Sequence, residues 1–191
     1  CFSKYLIAVP LRDKSALSVA KALVNHCFMV YGASELQIHD QGREFCNEVV
    51  ANICQLMGIS DLKSTPYKPS SNGAVERVHG TINHIFAKTI DENMRDWCEK
   101  TPFVTFAYNT SRHSSTTFSP FYLQFGREPR VGIDLLLTRE DPAYRSYDEY
   151  TEKVRKNMQI AYEIVQHQIK TKFDAAKRRY DARVKSACFK E

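Results

Sequence analysis

The chain has 191 residues, 43% of them hydrophobic, which allows one core with an appendage or two small domains. Its formal net charge is +5, and residues 139–191 hold 13 Lys/Arg against 9 Asp/Glu, while residues 1–138 hold 14 against 13. There is no run of 18 apolar residues to suggest a membrane helix, and six scattered cysteines (1, 27, 46, 54, 98 and 188) without a C-x-x-C pair speak against a zinc knuckle.

The chain begins Cys-Phe-Ser-Lys-Tyr, with no initiator Met and no signal-peptide pattern, and reads as entered mid-strand. Residues 3–11 are apolar and partly β-branched, a strand by composition. Asp13 offers an N-cap to a helix whose stripe is Ala16, Val19, Leu23, Phe28 and Val30, ended by Gly32. Leu36 and Ile38 lead into Asp40 as a short buried strand. Gly42 turns the chain, and Phe45, Val49, Ile53, Leu56 and Met57 mark the next helix, stopped by Gly58. Residues 59–67 read as a strand. Pro66, Pro69, Ser70, Ser71, Asn72 and Gly73 form a polar loop before a helix carrying Val75, Val78, Ile82, Ile85 and Phe86. Residues 94–109 read as a helix with Trp97, Phe103 and Phe106 in the core, and Ser119-Pro120 opens another. A loop follows from Arg127 to Asp141. The last element is a long helix from Tyr147 to about Val184, with an apolar stripe in steps of three and four. Strand–helix–strand–helix–strand–loop–helix is an α/β order.

Two acids stand out. Asp40 closes a strand at a turn, and Glu76 opens a helix after the Pro/Ser/Asn loop, with 35 residues between them. Carboxylates on converging element ends suit a hard cation such as Mg²⁺. The basic cluster of the last helix (Lys170, Lys172, Lys177, Arg178, Arg179, Arg183 and Lys185) suits phosphate, and equally suits a solvated helix face.

Several segments resemble a known family. They are Phe-Ser-Lys-Tyr at 2–5, His-Asp-Gln-Gly-Arg-Glu-Phe at 39–45 and Pro-Tyr-Lys-Pro-Ser-Ser-Asn-Gly-Ala-Val-Glu-Arg at 66–77, followed by Ala-Tyr-Asn-Thr-Ser-Arg-His-Ser-Ser-Thr at 107–116 and Ser-Pro-Phe-Tyr-Leu-Gln-Phe-Gly-Arg-Glu-Pro-Arg at 119–130. In this order they are similar to the integrase catalytic core of gypsy-type LTR retrotransposons and retroviruses, over almost the whole chain to about residue 185. The resemblance implies an RNase H-like α/β fold, a mixed sheet with flanking helices. It implies an Asp-Asp-Glu triad with Asp40 and Glu76 as its last two members. It also implies Mg²⁺ (or Mn²⁺) as cofactor, 3′ processing and strand transfer on DNA, a homo-oligomer, and a nuclear or cytoplasmic-particle location.

The first Asp of the triad lies in the family upstream of residues 2–5, so the chain is expected to be an N-terminally truncated core lacking the first strand and inactive alone. Asp13 is expected to be a helix cap, Asp61 a surface loop acid, and His39 to point away from Asp40 by strand alternation. Lys68, Ser70, Ser71 and Asn72 match a loop that touches DNA in the family, and Arg77 is a further candidate for phosphate. Where the family carries Asn and two basic residues after the Glu, this chain has His79, Gly80 and Asn83. That departure keeps open a second reading, a domesticated non-catalytic DNA- or protein-binding remnant. A ribonuclease H-type hydrolase is disfavoured by the Pro-rich loop. The expected organisation is a partial catalytic core over 1–126, a linker over 127–146 and a basic amphipathic helix over 147–191.

Overall fold

The computed structural model describes residues 2–64, 69–89, 96–132 and 146–182. The chain divides into two compact units, Ile7–Phe106 and a second formed by Cys1–Leu6 with Ala107–Glu191.

In the first unit, helix α1 (Ala16–Leu23) is capped by Ser15, whose side chain accepts from Ser18 N. Asp13 lies two residues earlier and accepts from Ser15 N at 2.8 Å, so it supports the cap residue and is not the cap. Hydrogen bonds from the Ser15 side chain and backbone, then from Ser18, hold its carboxyl below the usual value. A five-residue π turn (Val24–Phe28) follows, then a short α2 (Met29–Tyr31) that stops at Gly32 with φ 84°. The wide turn brings Phe28 into the core and leaves Val30, expected inside, exposed.

Strand β1 (Leu36–His39) pairs in parallel with β2 (Ser60–Lys63), in the register Leu36↔Ser60, Gln37↔Asp61, Ile38↔Leu62 and His39↔Lys63. The connection is helix α3 (Glu48–Leu56), as a parallel pair requires a crossover. Asn47 caps α3 by accepting from Val50 N at 3.0 Å. The core gathers Ala20, Phe28, Val50, Cys54 and Ile59, with Leu23, Val24, Cys27, Ile53 and Met57 packed against it. Burial of Val50 contributes about 1.5–3 kcal/mol. Of the expected stripe on α3, Ile53 and Met57 pack against this core, whereas Val49 and Leu56 are exposed and Val50 and Cys54 take the innermost positions. β1 is likewise not a buried strand. Leu36, Ile38 and Leu62 share one face of the sheet and stay largely exposed.

Helix α4 (Pro69–Thr89) and helix α5 (Trp97–Thr110) follow. The expected polar loop is therefore helical from Pro69, where fixed φ and a missing N–H suit a first turn. On α5 the buried residues are Thr101, Val104 and Tyr108, at helical spacing, and Asn109, whereas Trp97, Phe103 and Phe106 are exposed.

In the second unit, α6 (Pro120–Phe125) runs from the Ser119 cap to Gly126, which is left-handed at φ 73°. Helix α7 (Tyr147–Asp181) begins at Ser146, which accepts from Glu149 N at 3.2 Å. Leu123, Ala161 and Val165 form its core with Phe2, Phe118, Tyr122 and Ile169 alongside. Residues 3–11 are not a strand. Lys4 adopts φ 58°, Tyr5 N bonds Ser3 Oγ, and both Leu6 backbone groups are taken by the Asn109 side chain.

Among the described residues the sheet has two strands, no helix is long and apolar enough to cross a membrane, and the architecture is α/β with a long C-terminal helix.

Candidate active site

Asp40 follows the last residue of β1, where the ladder ends with Ser64 N donating to His39 O at 2.8 Å. It is exposed, and its Oδ1 accepts from Gly42 N at 2.9 Å, closing a small turn over Gln41. The amides of Phe45 and Cys46 both donate to Gly42 O, which bends the chain toward α3. Gly42 is needed here for space. A Cβ would sit 3.0 Å from Asp40 Oδ1 and 2.8 Å from Glu44 Cδ.

The ring of His39 lies beneath this turn. It is only 8% exposed and stacks on Phe45 with centroids 5.5 Å apart. Nδ1 donates to the backbone carbonyl of Asp40, and Nε2 lies 3.2 Å from Asp61 Oδ2 and 3.1 Å from Asp61 Oδ1. Asp61 is thus not a surface loop acid: it sits on β2, opposite Gln37, and pairs with the histidine one step along. Sequence alone gave no sign of this pair. Its signal is the parity of residues 37, 39, 61 and 63 on one sheet face, which needs the register.

Glu76 is the eighth residue of α4 and is exposed. It was expected to open its helix, but the helix starts seven residues earlier, at Pro69. Ser70, Ser71 and Asn72 fall in the first turn, and Lys68 lies outside the described residues. Arg77 is exposed, and its guanidinium folds back over Gly73, with Nη1 3.5 Å from where a Cβ would stand. Thr81 Oγ1 donates to Arg77 O at 3.0 Å. His79, Gly80 and Asn83 are exposed on the same helix.

Asp40 and Glu76 lie on the expected kinds of element, a strand end and a helix. Among the described residues, however, no group of three or more His, Cys, Asp or Glu could hold a metal ion. The described donors alone do not make up a two-cation centre, which needs carboxylates converging from several elements.

The chain is 28% identical over 184 residues to the retrovirus-related Pol polyprotein from transposon 412 of Drosophila melanogaster, covering 96% of this chain and 15% of that protein. It is 30% identical over 128 residues to the gypsy retrotransposon integrase-like protein 1 of Bos taurus, covering 67% of this chain and 25% of that protein. This chain is a relative of the gypsy-type integrases. The integrase likeness extends to the backbone: the catalytic core domain of BIV integrase matches with a TM-score of 0.50 and 20% identity, over 64% of this chain and 78% of that one. At that identity the structural match speaks for the fold alone. No family model matches the chain. The two integrase relatives are much longer proteins, of which the chain spans 15% and 25%.

Proposed function

We propose that this chain is the part of an integrase catalytic domain that carries the second and third acids of the triad, Asp40 and Glu76, and that it works on DNA as part of a homo-oligomer. The observation that carries this reading is the pair itself: two exposed acids, one at a strand end and one on the helix after the crossover, inside a sequence similar to a retrovirus-related Pol polyprotein over 184 residues and to a gypsy integrase-like protein over 128. The first turn of α4 adds an anion-binding element. A helix N-terminus attracts phosphate, which in this reading gives Ser70, Ser71 and Asn72 a role at the DNA backbone, with Arg77 further along the helix. Lys68 belongs to the same proposed contact.

Chemistry by this chain alone is not expected, because its described acids form no cluster that would hold Mg²⁺ or Mn²⁺. With a third acid, Asp40 and Glu76 would hold such a cation, which would supply charge stabilisation to in-line displacement at phosphorus. What this chain supplies is two carboxylates, the turn that aims one of them, and the cationic surface that meets DNA.

The test is strand joining by the full reading frame that contains this chain, with a labelled element end. Asp40→Asn and Glu76→Gln should each abolish joining. Undiminished joining by both variants would refute the site. The 191-residue chain by itself should join nothing. For DNA contact, Arg77→Ala should lower the salt dependence of duplex binding by about one unit of slope, read by fluorescence anisotropy. An unchanged slope removes Arg77 from the contact.

A second reading has its own support. Gly80 stands within the continuous helix α4 where the resemblance leads one to expect a cation. A non-catalytic DNA- or protein-binding remnant would bind the duplex with Arg77 yet show no loss of function in Asp40→Asn.

A further inference from the structure

We propose that the pair of buried His39 and half-buried Asp61 is a positioning device for Asp40, acting on the Asp40 backbone and through it on the carboxylate. The proposal rests on the reading of Asp40 as a reacting-site acid.

The β1–β2 ladder gives out at the bond from Ser64 N to His39 O, one residue before Asp40. The Asp40 carbonyl thus stands just past the last ladder bond, where strand ends normally fray. His39 takes over there, with Nδ1 donating to that carbonyl. Cys46 Sγ lies 4.0 Å from the same oxygen, a far weaker donor. The other side of the ring is held by Asp61 on the second strand, at 3.2 Å to Oδ2. Phe45 stacks on the ring face. With a proton on each ring nitrogen, one donated to the Asp40 carbonyl and one to Asp61, the ring is fixed on three sides by β2, by the turn before α3, and by the residue it orients.

Asp61 itself has one buried oxygen, Oδ1, that accepts no hydrogen bond, although it lies 3.1 Å from Nε2. Withdrawing that one oxygen from water without a hydrogen-bond donor costs free energy. The arrangement is intelligible as a constraint. With the carbonyl of Asp40 pinned, the rotation that sets the direction of its Cα–Cβ bond is fixed. The Oδ1 bond to Gly42 N then selects one carboxylate orientation. Such support of a functional side chain by a second layer of bonds is what precise placement requires.

The test reads the Gly42 amide, which reports the Asp40 Oδ1 bond directly. In the 191-residue chain, Asp61→Asn and His39→Gln should speed hydrogen exchange at Gly42 about five- to thirtyfold, the range expected for the loss of one supporting bond. Exchange at Val50 and Ile59 should stay at parental rates. Asp61→Glu should restore most of the Gly42 protection. Ile59→Val, which loosens the core without touching the pair, should leave the Gly42 rate unchanged. In the full reading frame, Asp61→Asn should lower the joining rate while DNA affinity is retained. Parental exchange at Gly42 in Asp61→Asn or His39→Gln overturns the proposal. So does loss of Val50 and Ile59 protection in both variants, because the pair is then a folding element. If Asp40→Asn joins DNA normally, the catalytic reading of Asp40 fails, and the exchange data still decide whether the pair holds the turn.

Discussion

Asn109 accepts from Leu6 N at 2.8 Å and donates to Leu6 O at 2.8 Å, doing for one residue what a neighbouring strand does for a whole edge. The side chain is buried, so its replacement leaves two backbone groups without partners. Asn109→Ala should cost about 2–3 kcal/mol, seen as a lower urea midpoint with an unchanged slope. A cost below about 0.5 kcal/mol would mean that water replaces the amide at no loss. Gly42 makes a different demand. Gly42→Ala forces the Asp40 carboxylate or the Glu44 side chain to move, since both lie within contact of the new methyl. Global stability should change by less than about 1 kcal/mol, since the turn is at the surface. The Asp40 side-chain carboxyl resonance should shift while core methyl signals stay in place.

At the scale of elements, Ser119-Pro120 and Gly32 marked helix ends in the sequence, whereas the caps Ser15, Asn47 and Ser146 and the stop at Gly126 emerge from the structure. Ser15, Asn47, Ser119 and Ser146 are all side-chain caps, and Gly32 and Gly126 stop helices with positive φ. Such local chemistry needs no knowledge of the rest of the chain. Buried faces were harder to read. On α5 the large aromatics drew the expectation, yet Thr101, Val104 and Tyr108 face inward and Phe103 is 69% exposed. Composition reports apolarity, but which side of a helix meets a neighbour is settled by tertiary contacts. The same limit explains residues 3–11, whose strand-like composition found a side-chain partner for Leu6 in place of a ladder. At the candidate site, Asp40 and Glu76 were legible from motif and spacing. The His39–Asp61 pair was not, because strand register is a long-range property. Helix α6 offers a direct check. Gly126→Ala places a methyl 3.2 Å from Val154 Cγ1 on a left-handed backbone, so it should cost about 1–2 kcal/mol in urea unfolding. Ser119→Ala removes both the cap to Tyr122 N and the bond donated to Glu128, and should cost about the same.

Across the whole molecule, buried weak acids set the alkaline limit. Desolvation pushes the Cys54 thiol up, with the Asp61 charge adding to it, and desolvation alone raises Cys27 and Tyr108. A raised folded value means that the unfolded chain releases these protons first. Stability is therefore full below the ordinary thiol value of 9.0 and declines as pH rises past it. Urea unfolding at about pH 10 should give a lower free energy than at about pH 8, and Cys54→Ala should reduce the difference. An equal free energy at both values would show that the thiols ionise alike in both states. Among the four described cysteines, thiol labelling of the native chain should follow exposure, with Cys98 first and Cys54 last.

The long helix α7 is covered unevenly. Ala161 and Val165 are buried and Ile169 packs beside them, whereas Phe173 and Tyr180, on the same stripe, are largely bare. Gln168 and Lys172 still tie the helix to Thr117 and Ser114, but Lys177, Arg178 and Arg179 lie beyond those tethers. A helical turn held only by its own backbone bonds opens often, and opening is what a protease waits for. Brief trypsin treatment should thus clip the chain first at 177–179, then stall at the tethered segment. The product would be a shorter chain of lower net charge whose core is untouched.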